Sequence, residues 1–261
     1  MNALAILKQR IKATPLAIPY IAAVNTFGKR RHSQSDEAAV LGRIISALGQ
    51  VPKIFIEFGF SGWEFNCIAL AQDRSWQGLL IDGDAYNATI ARTIYHRGIE
   101  AKQLWITLDT LDHVIRYAAG REVGVLSIDV DGNDYWFAKH LMPLRPAILC
   151  VEVNVSMGLR PLTVPYDPAF DRTKKHQSWE YYGASLTAMH HLCRESGYSL
   201  VAMSGNGVNA FFVRGDLLTS ALRVLDPQEA QRPKIYPNGS IAPTERFWEG
   251  IKNMPFVDVS A

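Results

Sequence analysis

The stretch that decides the fold lies near the end of the chain and reads Tyr198-Ser-Leu-Val-Ala-Met203, Ser204-Gly-Asn-Gly207 and Val208-Asn-Ala-Phe-Phe-Val213. It consists of two strand-like runs on either side of four turn-forming residues. Parallel neighbours in a sheet need a crossover of roughly a dozen or more residues, so this short connection forces an antiparallel pair. The sequence therefore predicts a β-hairpin at this end of the fold.

Upstream of the hairpin, strand-like and helix-like runs alternate. Predicted strands cover residues 53–59, 78–81, 103–106, 123–128 and 147–153, and predicted helices cover residues 36–48, 63–73, 86–96, 109–119, 135–141 and 183–196. Helix-length connections imply parallel strands with right-handed crossovers, and the apolar runs indicate a sheet covered on both faces. The predicted fold class is α/β: a doubly wound, mostly parallel seven-stranded sheet that ends in the antiparallel hairpin.

Composition narrows the class of protein. The 261 residues are 48% hydrophobic and 20% charged, as in an ordinary globular protein, which excludes disorder over most of the chain. The formal net charge is +2, and the basic run Lys29-Arg-Arg31 is too short for a nucleic-acid-binding face. Cys67, Cys150 and Cys193 are too widely spaced for a disulfide framework or a zinc knuckle, so we expect a cytoplasmic location.

The N-terminal segment has the features of neither a signal peptide nor a membrane anchor. Lys8, Arg10 and Lys12 interrupt its apolar stretch, where a signal peptide keeps an uncharged run. The uncharged residues 13–28 fall short of the roughly 20 residues that a membrane span requires. We therefore expect no membrane partner. The amphipathic residues 3–11 either form a homodimer contact or cover the core.

The chain divides into a core and its additions within one structural domain. We predict an N-terminal helical cap over residues 1–50, a core over residues 51–215 and a C-terminal surface extension over residues 216–261. Residues 156–180 form a polar, proline-bearing insertion between the fifth strand and its helix. Loops this long in compact domains are usually functional, and this one lies at the carboxyl edge of the sheet. We therefore predict that it is a lid.

Ligands of open α/β sheets bind outside the carboxyl ends of the strands, and two such ends point to an adenosyl group. After the first strand, Gly59 and Gly62 let the backbone turn close to a ligand near a helix N-terminus. After the second, Asp82 follows at about the 20-residue separation at which an acid binds ribose hydroxyls. Ser61 and Glu64 break the G-x-G-x-x-G fingerprint, which disfavours a dinucleotide.

Polar residues also follow the fourth and fifth predicted strands. These residues are Asp129, Asp131, Asn133, Asp134, Glu152 and Asn154. Clustered carboxylates repel one another unless a cation, a proton or hydrogen-bond donors compensate. In one interpretation, Asp129 or Asp131 joins Glu152 and Asn154 as oxygen ligands of Mg²⁺ or Ca²⁺. In the other, Asp131 and Asp134 cap the next helix and Glu152 binds backbone amides.

Four stretches carry a resemblance to a known family. They are Phe55-Ile-Glu57-Phe-Gly59, Leu80-Ile-Asp82-Gly-Asp84, Ile106-Thr-Leu-Asp109-Thr-Leu111 and Leu126-Ser-Ile-Asp129-Val-Asp131-Gly-Asn133-Asp134-Tyr135-Trp136. Together they resemble the FkbM-like class I S-adenosylmethionine-dependent methyltransferases, in which a Thr-Leu-Asp element precedes an acidic strand end. The similarity extends from about residue 33 to residue 213. It implies a Rossmann-like methyltransferase sheet.

The resemblance also implies roles for individual residues. Glu57, Gly59 and Gly62 would hold the methionine part of S-adenosylmethionine, Asp82 its ribose, and Asp129 would lie beside the sulfonium. Metal-dependent small-molecule methyltransferases carry an acid, a second acid and an amide at these strand ends. The matching residues here are Asp129, Glu152 and Asn154.

The predicted function is therefore methyl transfer from S-adenosylmethionine to a small-molecule acceptor, for which the resemblance suggests a sugar or natural-product hydroxyl. Such a hydroxyl must lose its proton, either to Asp131 or with the help of the metal, and His140 is a further candidate base. The lid residues expected to line the acceptor pocket are Tyr166, Asp167, Tyr181 and Tyr182. The alternative is a non-catalytic methyltransferase-like binding or assembly protein with a vestigial pocket.

Overall fold

The structure is a computed structural model that describes residues 33–260. The predicted amphipathic segment, the basic run and most of the predicted N-terminal cap lie outside the described residues. Across residues 33–260, every helix is too short or too polar to cross a membrane.

The main sheet contains seven of the nine strands found in residues 33–260, in the order β3-β2-β1-β4-β5-β8-β7. Strands β1 to β5 pair in parallel, whereas β8 runs antiparallel between β5 and β7. The strands are β1 (Ile54–Phe58), β2 (Gln77–Asp82), β3 (Ile99–Gln103), β4 (Val125–Ile128), β5 (Ile148–Glu152), β6 (Leu162–Thr163), β7 (Tyr198–Met203), β8 (Asn209–Arg214) and β9 (Val257–Asp258). The predicted fold class, including the antiparallel hairpin, is confirmed.

Helices cover both faces of this sheet. They are α1 (Glu37–Leu48), α2 (Ile68–Gln72), α3 (Ala85–Ile94), α4 (Asp112–Ala118), α5 (Asp134–Leu141), α6 (Arg172–Lys175), α7 (Leu186–Glu195), α8 (Pro227–Ala230) and α9 (Thr244–Ile251). Alternate residues of a strand face opposite sides, so Phe55 packs with α1 to α3, while Ile56 and Phe58 pack with α4, α5 and α7. The sheet is therefore buried on both sides, as the apolar strand runs predicted.

Two predicted elements differ from the structure. The third strand is Ile99–Gln103, so its predicted position at residues 103–106 is wrong. The apolar residues 104–106 lie beyond the end of the strand and line a cavity, which explains their strand-like composition. The helix predicted for residues 63–73 is reduced to Ile68–Gln72, because the residues before it form a loop held by Glu57.

The C-terminal extension packs on the lid segment, residues 156–180. Strand β9 pairs with β6 in a separate two-stranded sheet and does not join the main one. Ile251 of α9 is buried in a third apolar cluster with Met157, Phe170 and Tyr181. The extension thus holds the base of the lid segment against the core.

The close approach of Gly59 to β4 yields a stability prediction. Gly59 has φ 70°, and a Cβ atom there would lie 1.4 Å from the Asp129 carbonyl oxygen, whereas Gly49 has φ 74° and open space around it. Both Gly→Ala variants should lose about 1–2 kcal/mol for the left-handed backbone, and Gly59→Ala about 1–3 kcal/mol more for the clash. Denaturant unfolding measures both losses. Equal losses would contradict the steric role of Gly59.

Candidate functional site

A cavity of about 320 Å³ opens at the carboxyl edge of the sheet, beyond the ends of β1, β2 and β4. We call it the first cavity. Its walls come from four strand ends and from the lid segment. The lining residues are Gly59, Phe60, Ser61, Ile81, Asp82, Gly83, Leu104, Trp105, Ile106, Asp129, Val130, Asp131, Asn133, Phe137 and Phe170. This is the edge at which ligands of open α/β sheets bind.

The turn after β1 supplies one wall of the first cavity. The Gly59 N–H donates to the Ile81 carbonyl at 3.0 Å, which fastens the turn to the end of β2. On its other side, Gly59 lies directly against the Asp129 carbonyl, where no side chain fits. The missing Cβ of Gly59 therefore lets the turn pack against β4 while it lines the cavity.

Glu57 and Gly62, both predicted to contact the cofactor, are not among the lining residues. The buried Glu57 carboxylate accepts the backbone N–H groups of Asn66 at 2.8 Å and Cys67 at 2.7 Å. A Cβ atom at Gly62 would lie 2.5 Å from the Ile90 side chain, so that glycine packs against α3. Glu57 and Gly62 thus support the loop, and of Glu57, Gly59 and Gly62 only Gly59 lines the cavity.

Asp82 at the end of β2 does line the first cavity. Its Oδ1 accepts the Asp84 N–H at 2.7 Å and the Asn87 side-chain amide at 3.2 Å. Its Oδ2 receives no hydrogen bond from residues 33–260 and is left for a ligand. Partial burial raises the pKa of Asp82 above its ordinary value. Asp84 accepts the Tyr86 N–H at 2.8 Å and caps α3.

Three carboxylates meet at the neighbouring strand ends. Oxygen atoms of Asp129, Asp131 and Glu152 lie within 4.8 Å of one another. Glu152 is 8% exposed, and its Oε2 has no hydrogen-bond partner in the described part of the chain. Burial, and then the charge of Asp131, raise the pKa of Asp129 well above its usual range. Burial, and then Asp129, do the same to the pKa of Glu152. We call these residues the acid cluster.

Asn154 and Asp134 do not join the acid cluster. The Asn154 amide donates to the Glu180 carbonyl at 2.7 Å and the Tyr182 carbonyl at 3.0 Å, and its oxygen accepts the Ser156 N–H at 3.0 Å. These contacts hold the base of the lid segment and give no support to Asn154 as a metal ligand. Asp134 accepts two backbone N–H groups of the preceding loop, and burial raises its pKa to about 6.

Arg172 of the lid segment faces the acid cluster, and sequence reasoning missed it. Its guanidinium group forms an ion pair with Asp131 and lies 3.8 Å from the Tyr182 ring centroid. Asp131 itself has φ 56°, in the left-handed region that few residues other than glycine adopt. The sequence does place basic residues in the predicted lid, where one of them can pair with the acidic motif after β4. Lys174 and Lys175 meet that description as well as Arg172 does, so the sequence alone does not single out Arg172.

The structure does not bring His140 to the site. His140 is exposed in the last turn of α5, and α5 begins at the cavity edge and runs away from it. At about 1.5 Å per residue, six residues of helix separate His140 from Asp134 by roughly 9 Å. The exposed His140 therefore has no contact with the acid cluster that would support its predicted role as a base.

The four lid residues predicted to bind the acceptor serve mainly as structural contacts. Tyr166 accepts the Leu108 N–H at 3.0 Å, and Asp167 pairs with Lys175 at 2.5 Å. Tyr181 donates to the Pro255 carbonyl, and Tyr182 lies beneath Arg172. The lining of neither cavity includes any of these four side chains.

A second cavity, of about 630 Å³, lies on the other side of the acid cluster. Its lining residues are Gln34, Ser35, Glu152, Arg172, Gly205, Asn206, Val208, Lys234, Ile235, Tyr236, Pro237 and Gly239. Lys234 forms a buried ion pair with Glu180 at 3.1 Å. Because Asp129 and Asp131 line the first cavity and Glu152 the second, the acid cluster lies between the two. The site therefore offers two compartments that share a set of carboxylates.

The buried Glu57 carboxylate should make stability depend on pH. Burial raises its pKa from 4.5 to about 7, against the effect of its two backbone hydrogen bonds. Between these values the folded state keeps a proton that the unfolded state has lost, so the free energy of unfolding falls as pH rises. Glu57→Gln removes this contribution, which is at most about 1.4 kcal/mol per pH unit.

Urea unfolding of the wild type and Glu57→Gln at pH 5 and pH 7 tests this prediction. The exposed Glu245→Gln serves as the control with the same chemical change. We expect the stability of Glu57→Gln relative to wild type to rise from pH 5 to pH 7, and that of the control to stay constant. Parallel pH profiles for all three proteins would contradict the prediction.

No protein-family model and no curated protein matches the chain. Solved structures do resemble it. Cofactor-bound Rv0187 from MTB is 18% identical, with 77% of this chain and 89% of that chain covered and a TM-score of 0.48. An O-methyltransferase from Bacillus cereus in complex with SAH is 15% identical, with coverages of 79% and 95% and a TM-score of 0.47. A methyltransferase from Geobacter sulfurreducens is 15% identical, with coverages of 82% and 97% and a TM-score of 0.43.

Proposed function

We propose that the protein is an S-adenosylmethionine-dependent methyltransferase that acts on a small-molecule hydroxyl. The observation that carries this proposal is the placement of the acid cluster between two cavities, one of which is lined by Asp82. The first cavity would hold the cofactor and the second the acceptor. The FkbM-like resemblance of the sequence agrees with this proposal and suggests a sugar or natural product as the acceptor.

The first cavity suits a cofactor with a ribose at one point and a positive charge at another. Ribose hydroxyls can donate to Asp82, which lines this cavity and whose Oδ2 accepts no hydrogen bond from residues 33–260. Two strand positions away in the sheet order, Asp129 presents a carboxylate that would favour a sulfonium. The turn at Gly59 follows β1, which lies between β2 and β4, and it lines the part of the cavity that the rest of the cofactor would occupy.

Methyl transfer is an in-line displacement in which the acceptor oxygen bonds to the methyl carbon as the carbon–sulfur bond breaks. The oxygen must approach the methyl carbon opposite the sulfur. The hydroxyl proton must pass to a base. Asp131, the base predicted from sequence, is paired with Arg172, whereas Glu152 lines the second cavity and its Oε2 has no hydrogen-bond partner in residues 33–260. We propose that a carboxylate of the acid cluster accepts the proton.

The acid cluster also fits a divalent cation. It offers three hard oxygen donors, and one of its buried oxygens, Glu152 Oε2, lacks a partner in residues 33–260. Asp129, Asp131 and Glu152 would hold the ion, which replaces the predicted set of Asp129, Glu152 and Asn154. A bound Mg²⁺ would lower the pKa of an acceptor hydroxyl. Arg172 already neutralises part of the cluster through Asp131.

The cofactor assignment predicts the effect of Asp82→Asn. The asparagine keeps the Oδ1 acceptor that holds Asp84 and Asn87 but cannot accept hydrogen bonds at the second position. Loss of charge-assisted hydrogen bonds costs about 1.5–3 kcal/mol, so S-adenosylhomocysteine should bind roughly 10- to 100-fold more weakly. Isothermal titration calorimetry measures this change, with the exposed Asp112→Asn as control. Equal affinities would contradict the role of Asp82, and no binding by the wild type would overturn the proposed function.

The cation assignment predicts the effect of Glu152→Gln and Arg172→Gln on Mn²⁺ binding. Glu152→Gln removes a charged ligand and should weaken binding at least about tenfold, because a charged contact is worth more than about 1.4 kcal/mol. Arg172→Gln removes a positive charge that competes for Asp131 and should strengthen binding. Electron paramagnetic resonance of free Mn²⁺ measures both, with Glu245→Gln as control. Unchanged affinity in Glu152→Gln would place any bound ion elsewhere.

A further inference from the structure

A small hairpin of the C-terminal extension forms one wall of the second cavity. In this C-terminal hairpin, residues 234–242, the Ala242 N–H donates to the Lys234 carbonyl at 2.8 Å. The Ile235 N–H donates to the carbonyl of Asn206, in the turn between β7 and β8, at 3.0 Å. Lys234 and Ile235 both line the cavity. These backbone hydrogen bonds fix Lys234 at the cavity wall.

The Lys234 side chain has a hydrogen-bond donor left over. It is 13% exposed and pairs with the Glu180 side chain, which is 8% exposed. The Lys234 Nζ atom lies 3.1 Å from each oxygen of the Glu180 carboxylate. These two contacts use at most two of the three N–H donors of an ammonium group. Nζ donates to no other residue in the described range 33–260, so at least one donor remains for a ligand.

Arg172, which also lines the second cavity, has donors left over as well. Its Nε donates to the Trp179 carbonyl at 2.5 Å, and its Nη1 pairs with Asp131. Its Nη2 donates to no residue in the described part of the chain. Nη2 carries two of the five N–H donors of a guanidinium group. Two cationic residues of this cavity therefore hold unused donors.

The two cations lie near each other. The Arg172 guanidinium carbon is 3.8 Å, and the Lys234 Nζ 5.8 Å, from the centroid of the same Tyr182 ring. Like charges repel each other, so each cation needs an anion beside it. Their partners, Asp131 and Glu180, are not among the lining residues of the second cavity. The positive members of two ion pairs thus line this cavity, and the negative members do not.

The rest of the lining is neutral or belongs to the acid cluster. Among the lining residues in the described part of the chain, Glu152 is the one carboxylate, and the proposed cation would compensate its charge. Gln34, Asn206 and Tyr236 contribute neutral polar side chains. Hydrogen bonds between a cation and an anion are roughly twice as strong as those between neutral groups. Unused donors on two cations therefore favour an anionic group in this cavity.

We propose that the second cavity binds an acceptor that carries an anionic group, a carboxylate or a phosphate, which Lys234 and Arg172 hold while the hydroxyl to be methylated lies at the acid cluster. This inference rests on the proposed function and narrows its substrate class. It makes Lys234, from the C-terminal extension, a residue that determines specificity. A neutral acceptor would leave the spare donors of both cations without an anionic partner.

Small anions test this site before the acceptor is known. Phosphate and acetate are the probes, in buffer freed of divalent cations so that no bound metal ion can hold them. The line widths of the phosphate phosphorus and acetate methyl NMR resonances measure both affinities. The proteins compared are the wild type, Glu180→Gln, the double variant Lys234→Gln/Glu180→Gln, and Arg172→Gln. The matched control is Lys252→Gln/Glu249→Gln, which removes an exposed ion pair of 2.5 Å whose residues line neither cavity.

The variants should change phosphate binding in opposite directions. Glu180→Gln removes the carboxylate that competes for Lys234 and should strengthen binding at least about threefold. The double variant also removes the ammonium group and should bind at least about tenfold more weakly than Glu180→Gln. Arg172→Gln should weaken binding at least about threefold relative to the wild type. The control should bind like the wild type. A merely structural ion pair between Lys234 and Glu180 does not predict this pattern.

The variants are chosen so that loss of fold does not decide the test. The double variant removes both members of the buried pair, which costs less than leaving one charge unpaired. Arg172→Gln leaves Asp131 without its partner, but the Asp131 side chain is 57% exposed and stays in contact with water. Arg172→Gln therefore keeps the test decisive if the double variant does not fold.

Each result has a distinct meaning. If phosphate binds more tightly than acetate, the acceptor is phosphorylated, and if acetate binds as tightly or more tightly, the acceptor carries a carboxylate. If the wild type binds neither anion, or if every variant binds them like the wild type, the anionic acceptor is overturned. Calorimetry with S-adenosylhomocysteine tests the proposed function separately. Cofactor binding without anion binding would leave the methyltransferase and remove the substrate class, whereas anion binding without cofactor binding would do the reverse.

Discussion

Carboxylates that lie close together need positive charge, protons or hydrogen-bond donors around them, and this need organises the centre of the molecule. Asp129, Asp131 and Glu152 meet where the two cavities adjoin. Arg172 of the lid segment supplies positive charge to this cluster. It lies over the Tyr182 ring and forms an ion pair with Asp131. The Glu152 carboxylate, whose Oε2 has no hydrogen-bond partner in residues 33–260, is the part of the acid cluster left to act on a ligand.

The lid segment is held in two different ways. At its base, apolar packing against α9 and the hydrogen bonds of Asn154 join it firmly to the core. Over the first cavity, Pro168 accepts a hydrogen bond from Trp105, Asp167 makes two with the Asn133 side chain, and Phe170 is buried. Hydrogen bonds of this kind can be exchanged for contacts with a ligand at little net cost, whereas buried apolar contacts cannot. The hydrogen bonds of Asp167 and Pro168 are therefore the contacts over this cavity that a ligand could replace.

Much of the fold follows from local patterns in the sequence. The apolar run before Gly59 indicates a buried strand, and the four-residue turn at residues 204–207 indicates an antiparallel pair. Both signals come from residues that are neighbours in the chain. The third strand was misplaced because Leu104, Trp105 and Ile106 are as apolar as a strand while serving as a cavity wall. Hydrophobicity alone does not distinguish a residue that packs within a strand from one that lines an open cavity.

The sequence by itself determined the doubly wound sheet, its terminal hairpin and the strand ends where Gly59, Asp82 and the acids gather, because strand period, turn length and strand polarity are local properties. Only the tertiary structure decided which polar groups are already engaged. Glu57, Asn154 and Asp134 form hydrogen bonds with backbone groups, whereas Glu152 Oε2 and Asp82 Oδ2 accept none from the described residues 33–260. That distinction depends on contacts between residues far apart in the chain, which spacing along the sequence does not encode.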